Sequence, residues 1–135
     1  MRILLVQPEF PVTFWSFKHA LGFVGKKVSN PPLGLLTVAA LLPDHWEKRL
    51  LDLNNEPLTD KDLAWADYLF ISAMDIQRKS VKEVLQQAKN NKVKIVAGGP
   101  LFTGEFVSFP EVDHFILNEG EITLLQFLAD LEADH

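Results

Sequence analysis

Four short stretches hold the residues that could do chemistry. They are Gln7-Pro8-Glu9-Phe10-Pro11, Ser72-Ala73-Met74 with Gln77 beyond, Gly98-Gly99-Pro100 with Thr103 beyond, and Asn118-Glu119-Gly120-Glu121. Each directly follows a short apolar run. Small and hydroxyl-bearing residues brought side by side make a shallow shelf. Its backbone amides and carbonyls can hydrogen-bond a flat or elongated ligand. The set holds no cation and its few charges are carboxylates, so a triphosphate is a poor match. In KIVAGGPLFTGE (94–105) an apolar run ends at Gly98-Gly99. Glycines at such a point either make a tight turn or let something large lie against the main chain.

Several chemistries lack their residues. The stretch after the first apolar run has no G-x-G-x-x-G, and no Walker loop occurs. A phosphoacceptor receiver needs an acidic pair there and an Asp after the third run. Gln7 and Ser72 stand in those places. His19, His45, His114 and His135 are scattered, with no H-E-x-x-H or similar metal spacing. No Ser-His-Asp or Cys-His set can be assembled. By itself the chain reads as a binder rather than a catalyst, with no catalytic residue and no metal ligand.

The elements that position these residues follow from periodicity. Apolar runs at Arg2–Val6, Glu47–Leu53, Tyr68–Ala73, Lys94–Ala97 and His114–Leu117 predict five strands. Most are continuous rather than alternating, as in parallel strands covered on both faces. Helices are predicted between them. One spans Pro31 to Leu42, opening on prolines. A short one runs from Asp60 to Trp65, capped by Thr59. A third begins at Ser80, with Glu83 completing a capping box and Val81, Val84, Leu85 and Ala88 as its apolar stripe. A last one follows Asn118 and Glu121 at the same box spacing, with Ile122, Leu125, Leu128 and Leu131 as its stripe. Strand–helix alternation of this kind predicts an α/β flavodoxin-like sandwich with a mainly parallel sheet in the order 2-1-3-4-5. Ligands of such sheets bind outside the carboxyl ends of the strands, where the four stretches fall. The segment from Gln7 to Asn30 is too long for a plain connection and is rich in aromatics. Phe14 to Phe23 could be an extra helix with a role in an interface or lid.

The same residues also have plain structural readings. Ser72-Ala73 could be close packing, Gly98-Gly99 a simple turn, Met74 core filler, and Asn118 and Glu121 helix caps.

With 135 residues, 47% hydrophobic and 23% charged, the chain has the size and composition of one globular domain. A formal net charge of −5 without a basic stripe argues against nucleic acid as a partner. No cysteine is present, which excludes disulfides, cysteine-ligated zinc and iron–sulfur clusters within the chain. The first residues form neither a secretory signal nor a membrane span, and a cytoplasmic location is the expectation.

Five stretches taken in order resemble the N-terminal cobalamin-binding domain of B12-dependent radical SAM enzymes. They are ILLVQPEFPVTFWSFKHAL, PPLGLLTVAALLP, ADYLFISAM, VAGGPLFT and DHFILNEGEITLLQFLADL. The likeness spans essentially the whole chain and looks closest to the branch that includes hopanoid methylases. It implies a flavodoxin-like domain with cobalamin over the carboxyl edge and the nucleotide tail running down between strands and helices. Carried over by motif, Ser72, Ala73 and Met74 would line the tail or the lower corrin face. Gly98, Gly99 and Thr103 would border the tail, with close backbone approach as the reason for glycine. Pro8, Pro32 and Leu33 would lie near the corrin, and Asn118, Glu119 and Gly120 would flank the tail on its other side.

One departure matters. Related cobalamin domains carry D-x-H-x-x-G after the first strand, and its histidine coordinates cobalt. Gln7-Pro8-Glu9-Phe10-Pro11 has no such histidine; His19 is the one nearby. The resemblance with this change implies cobalamin in its base-off form with no histidine ligand from that motif. The family's three-cysteine cluster motif is also absent. The chain therefore reads as a domain cut from a longer protein whose radical SAM domain, with its 4Fe-4S cluster and SAM, would be its partner. In such a parent, the family scheme has methylcobalamin deliver a methyl group to a substrate carbon radical, although some relatives use cobalamin without methylating. A different class of reading is a flavodoxin-like scaffold without cofactor, acting through the aromatic segment in protein contacts. A weaker third is a free-standing enzyme acting on a small nucleotide.

Overall fold

The computed structural model describes residues 1–11, 33–116 and 120–133. Along the chain run β1 (Arg2–Gln7), α1 (Leu33–Leu41), β2 (Glu47–Asp52), α2 (Asp60–Trp65), β3 (Tyr68–Ser72), α3 (Arg78–Asn90), β4 (Lys94–Gly98), α4 (Pro100–Glu105), β5 (His114–Ile116) and α5 (Gly120–Ala133). Single 3₁₀ turns at Asp75–Gln77 and Phe106–Ser108 lead into α3 and out of α4.

The five strands form one sheet in the order β2-β1-β3-β4-β5. Every pair is parallel. This is the flavodoxin-like arrangement, and each strand agrees with its sequence expectation to within a residue or so. Alternate side chains of each strand feed two cores, as the twofold period of a strand requires. Leu4, Val6, Leu69, Ile71, Ile95 and Ala97 meet Leu63 of α2, Val81, Val84, Leu85 and Ala88 of α3, and Leu101 and Phe102 of α4. Ile3, Leu5, Tyr68, Phe70 and Val96 meet Leu35 of α1 and Leu124, Leu128 and Leu131 of α5. Burial on both faces explains why the runs are continuously apolar. Among the described residues no helix is long and apolar enough to cross a membrane.

Local chemistry sets the helix ends. Thr59 caps α2 as expected, accepting from the Asp62 amide at 3.2 Å while Asp62 accepts from the Thr59 amide at 3.0 Å. The Ser80 box does not form. Helix α3 begins two residues earlier, so Ser80 lies inside it and its Oγ accepts from the Glu9 amide at 2.8 Å. In α5 the buried stripe runs through Leu124, Leu128 and Leu131, while Leu125 is 58% exposed. The expected stripe through Leu125 is thus rotated by about one residue at its start. The sheet decides this, because Tyr68 and Phe70 draw Phe127 toward them with ring centroids 6.2 Å apart in each case. Helix α4 was not anticipated; Pro100 occupies its first turn, where a missing amide costs nothing. The possible helix at Phe14 to Phe23, and the box at Asn118, lie outside the described residues.

Candidate functional site

The carboxyl ends of β1, β3, β4 and β5 bring Pro8, Ser72-Ala73-Met74 and Gly98-Gly99 to one edge of the sheet. The order 2-1-3-4-5 puts the reversal of strand order between β1 and β3, where such folds open a crevice.

Behind that edge a groove of about 270 Å³ opens between α1, α5 and the sheet. Ser72, Gly98 and Gly99 form its polar rim on the strand side. Gly34, Thr37, Val38 and Leu41 form the helix side, at i, i+3, i+4 and i+7 spacing along α1. Phe70, Val96, Ile116 and Leu124 make the floor and far wall. Among the described residues no charged side chain lines it, and Thr37 and Ser72 supply the only polar side chains. Such a groove suits a neutral, flat group and disfavours a charged one, whose desolvation nothing would offset.

The paired glycines have reasons internal to the protein. A Cβ on Gly98 would lie 2.9 Å from the Ile116 carbonyl oxygen on β5. Gly99 has φ +94°, and a Cβ there would lie 2.7 Å from Ser72 Oγ and 3.0 Å from both the Ala73 amide nitrogen and carbonyl oxygen. Both glycines are required by the packing of the chain itself. Gly34 differs: among the described residues a Cβ there would meet only Ser72 Oγ, at an ordinary 3.5 Å. Of the three glycines that line the groove, it is the one whose packing leaves room for a side chain.

The backbone at this edge is less available than the sequence suggests. The Ala73 amide donates to Gly98 O at 3.3 Å, and Ala73 O accepts from the Leu101 amide at 3.1 Å. The Ala73 side chain is buried in the core under α3 and α4, on the sheet face away from the groove. Met74 follows β3, 41% exposed, and does not line the groove. Thr103 is half-buried in α4, where its amide donates to Gly99 O at 3.0 Å, and it does not line the groove. Leu33 opens α1 and Gly120 opens α5; Pro32, Asn118 and Glu119 lie outside the described residues.

The segment after β1 is fixed by a polar clamp that sequence reasoning missed. Gln77, 2% exposed, donates through Nε2 to Pro8 O at 2.8 Å and accepts at Oε1 from the Met74 amide at 2.9 Å. Asn54 Oδ1 accepts from the Phe10 amide at 3.0 Å. One buried carboxamide thereby joins the loops after β1 and β3. Arg78 bridges Asp75 at 2.6 Å and also Glu105, tying the β3 exit to the end of α4. Hydrogen bonds to Asp75 and then Glu105 raise its pKa above the ordinary guanidinium range. Among the described residues no His/Cys/Asp/Glu group could hold a metal ion.

The fold and groove can be set beside known proteins. The family model for the B12 binding domain matches residues 27–128. An uncharacterized methyltransferase of Synechocystis sp. is 44% identical over 134 residues, covering 98% of this chain and 25% of that protein. The hopanoid C-2 methylase of Rhodopseudomonas palustris is 34% identical over 134 residues, with the same coverage of 98% and 25%. The anaerobic magnesium-protoporphyrin IX monomethyl ester cyclase of Synechocystis sp. is 30% identical over 149 residues, covering 98% of this chain and 28% of that protein. The chain thus spans about a quarter of the length of the curated relatives it matches. No solved structure gives a significant match.

Proposed function

The chain belongs to the family of B12-binding domains, and we propose that it holds base-off cobalamin over the carboxyl edge of its sheet, with the neutral base of the nucleotide tail in the groove between α1 and α5. The observation that carries this reading is the groove itself: uncharged, open beside Gly34, and rimmed by Ser72, Gly98 and Gly99 where four strands end. When bound, cobalamin supplies methyl transfer to carbon in the larger enzyme. The relatives named as methyltransferase and methylase support a parent of that kind, in which a radical SAM domain with its own cluster and SAM generates the substrate radical.

The roles of this chain's residues follow from their placement. Gly34 leaves the helix wall open to the tail, and Ser72 offers it a hydroxyl. Gly98 and Gly99 hold β4 against β5 and β3, so that the rim keeps its shape. The family resemblance puts Pro8, held by Gln77, near the corrin with Pro32 and Leu33. Met74, exposed after β3, flanks the lower corrin face. Ala73 and Thr103 act through the packing beneath rather than by contact. The family resemblance assigns Asn118, Glu119 and Gly120 to the other side of the tail. The residues 7–11 contain no histidine, so none from this stretch reaches cobalt.

An absorbance titration with hydroxocobalamin, after removal of unbound cofactor, tests the proposal. Retention with a base-off type of spectrum is expected. Absence of retention, both here and in a full-length relative, would leave a cofactor-free scaffold as the reading.

A further inference from the structure

We infer that the chain carries a second ligand site, at the amino edge of the sheet, which takes a carboxylate on an apolar body. The strands are parallel, so the starts of β3 and β4 lie together at the edge opposite the groove. Tyr68 and Lys94 are the first residues of those strands and stand paired in register. Trp46 comes just before β2, and Lys92 just after α3. These four residues line one open hollow of about 750 Å³. Two observations mark it as more than a gap in the surface. First, Tyr68 and Trp46 are only 6% and 8% exposed, yet neither the hydroxyl nor the indole N–H has a hydrogen-bond partner among the described residues. Buried polar groups are normally paired, so these two turn to whatever fills the hollow they line. Second, Lys92 has φ +59°. It sits where the Val93 amide turns back to Ala88 O at 3.1 Å, a helix end at which glycine or asparagine is the usual residue. A lysine held there carries backbone strain that a glycine would not.

The chemistry on offer is that of donors. An indole N–H and an ammonium can only donate, and a tyrosine hydroxyl can donate as well as accept. Lys94 Nζ lies 5.9 Å from the centre of the Tyr68 ring, which puts a cation beside that side chain. Asp67 also lines the hollow, but its Oδ2 already accepts from the Arg2 amide at 2.8 Å. Two lysines against this one carboxylate leave a positive charge unmatched. A monoanion balances it. A phosphate monoester, with a charge of about −1.5 to −2 at neutral pH, overshoots it. Met1, Leu131 and the two aromatic rings supply hydrocarbon for the rest of the ligand. A charged oxygen among donors, with an apolar body against rings, is the pattern of a small-molecule site.

The test titrates phenylacetate, its neutral amide phenylacetamide, and phenyl phosphate into isotope-labelled protein. The Trp46 indole N–H resonance, assigned with Trp46→Phe, is the readout. Phenylacetate should shift it saturably and bind at least about tenfold tighter than phenylacetamide, as the loss of a charge-assisted hydrogen bond implies. Acid and amide binding within twofold of each other would overturn the role of the lysines. Tighter binding of phenyl phosphate would overturn the choice of carboxylate. No saturable shift with any of the three would overturn the site. Saturating hydroxocobalamin should leave the phenylacetate titration unchanged, and competition between them would overturn its placement at the amino edge. Lys92→Gly separates binding from folding. It relieves the left-handed backbone, so the variant should unfold at the same or a higher temperature. It should also bind phenylacetate about tenfold more weakly. Unchanged affinity in that variant would remove Lys92 from the site.

Discussion

Substituting Gly34 separates filling the groove from breaking the fold. Among the described residues a Cβ at Gly34 meets only Ser72 Oγ, at 3.5 Å, so alanine fits against them without any shift. Alanine also removes the conformational cost of glycine in a helix, roughly 0.5–1 kcal/mol. Gly34→Ala should therefore unfold a few degrees higher than the parent chain and bind hydroxocobalamin nearly as before. Leucine at the same place extends toward Ser72, into the space proposed for the tail. Overpacking a fitted site costs about 1–3 kcal/mol, which is about fivefold to 150-fold in Kd. Gly34 itself is exposed, so the empty protein should tolerate the leucine. Thermal unfolding and cofactor titration on the three proteins make the comparison. The reasoning fails if Gly34→Leu binds within twofold of the parent, or if it loses stability in step with affinity.

Gly99→Ala should destabilise by about 1–3 kcal/mol, since φ is +94° and the new Cβ would sit 2.7 Å from Ser72 Oγ; urea unfolding measures it without cofactor. Phe102 is fully buried, with its ring centroid 5.0 Å from that of Phe109 and 6.1 Å from that of Phe115. Phe102→Ala should cost about 3–5 kcal/mol in the same assay. Gln77→Glu tests the clamp on Pro8. Protonated, the new carboxyl can still donate to Pro8 O; ionised, it cannot, and burial raises its pKa in the folded state above the unfolded value of about 4.3. Its stability relative to the parent should be highest below the unfolded pKa and fall as pH rises toward the folded one. The loss at neutral pH should be about 1–3 kcal/mol, and paired unfolding curves at pH 4.5 and 8 would show it. A pH-independent difference would mean that the donor to Pro8 O does not matter.

The strands were legible because burial on both faces leaves unbroken apolar runs, and the parallel order followed from their alternation with helices. Thr59 and the stripe Val81, Val84, Leu85 and Ala88 were legible because caps and helical faces depend on neighbours a few residues away. Ser72, Gly98 and Gly99 could be placed at the site from their positions at strand ends. The reason for the glycines could not, since the atoms they avoid belong to Ile116 and to Ser72-Ala73 on neighbouring strands. Gly34, Thr37, Val38 and Leu41 carried a visible helical period, but only the tertiary structure decides whether such a stripe faces core or cavity. The register of α5 was decided by the Tyr68 and Phe70 rings beneath it. Gln77 and Ser80 gave no local sign of their roles, because they join residues about seventy positions away in the chain. Patterns whose energy is local can be read along the sequence; contacts between distant segments, which here shape the groove and its rim, exist only once the sheet has formed.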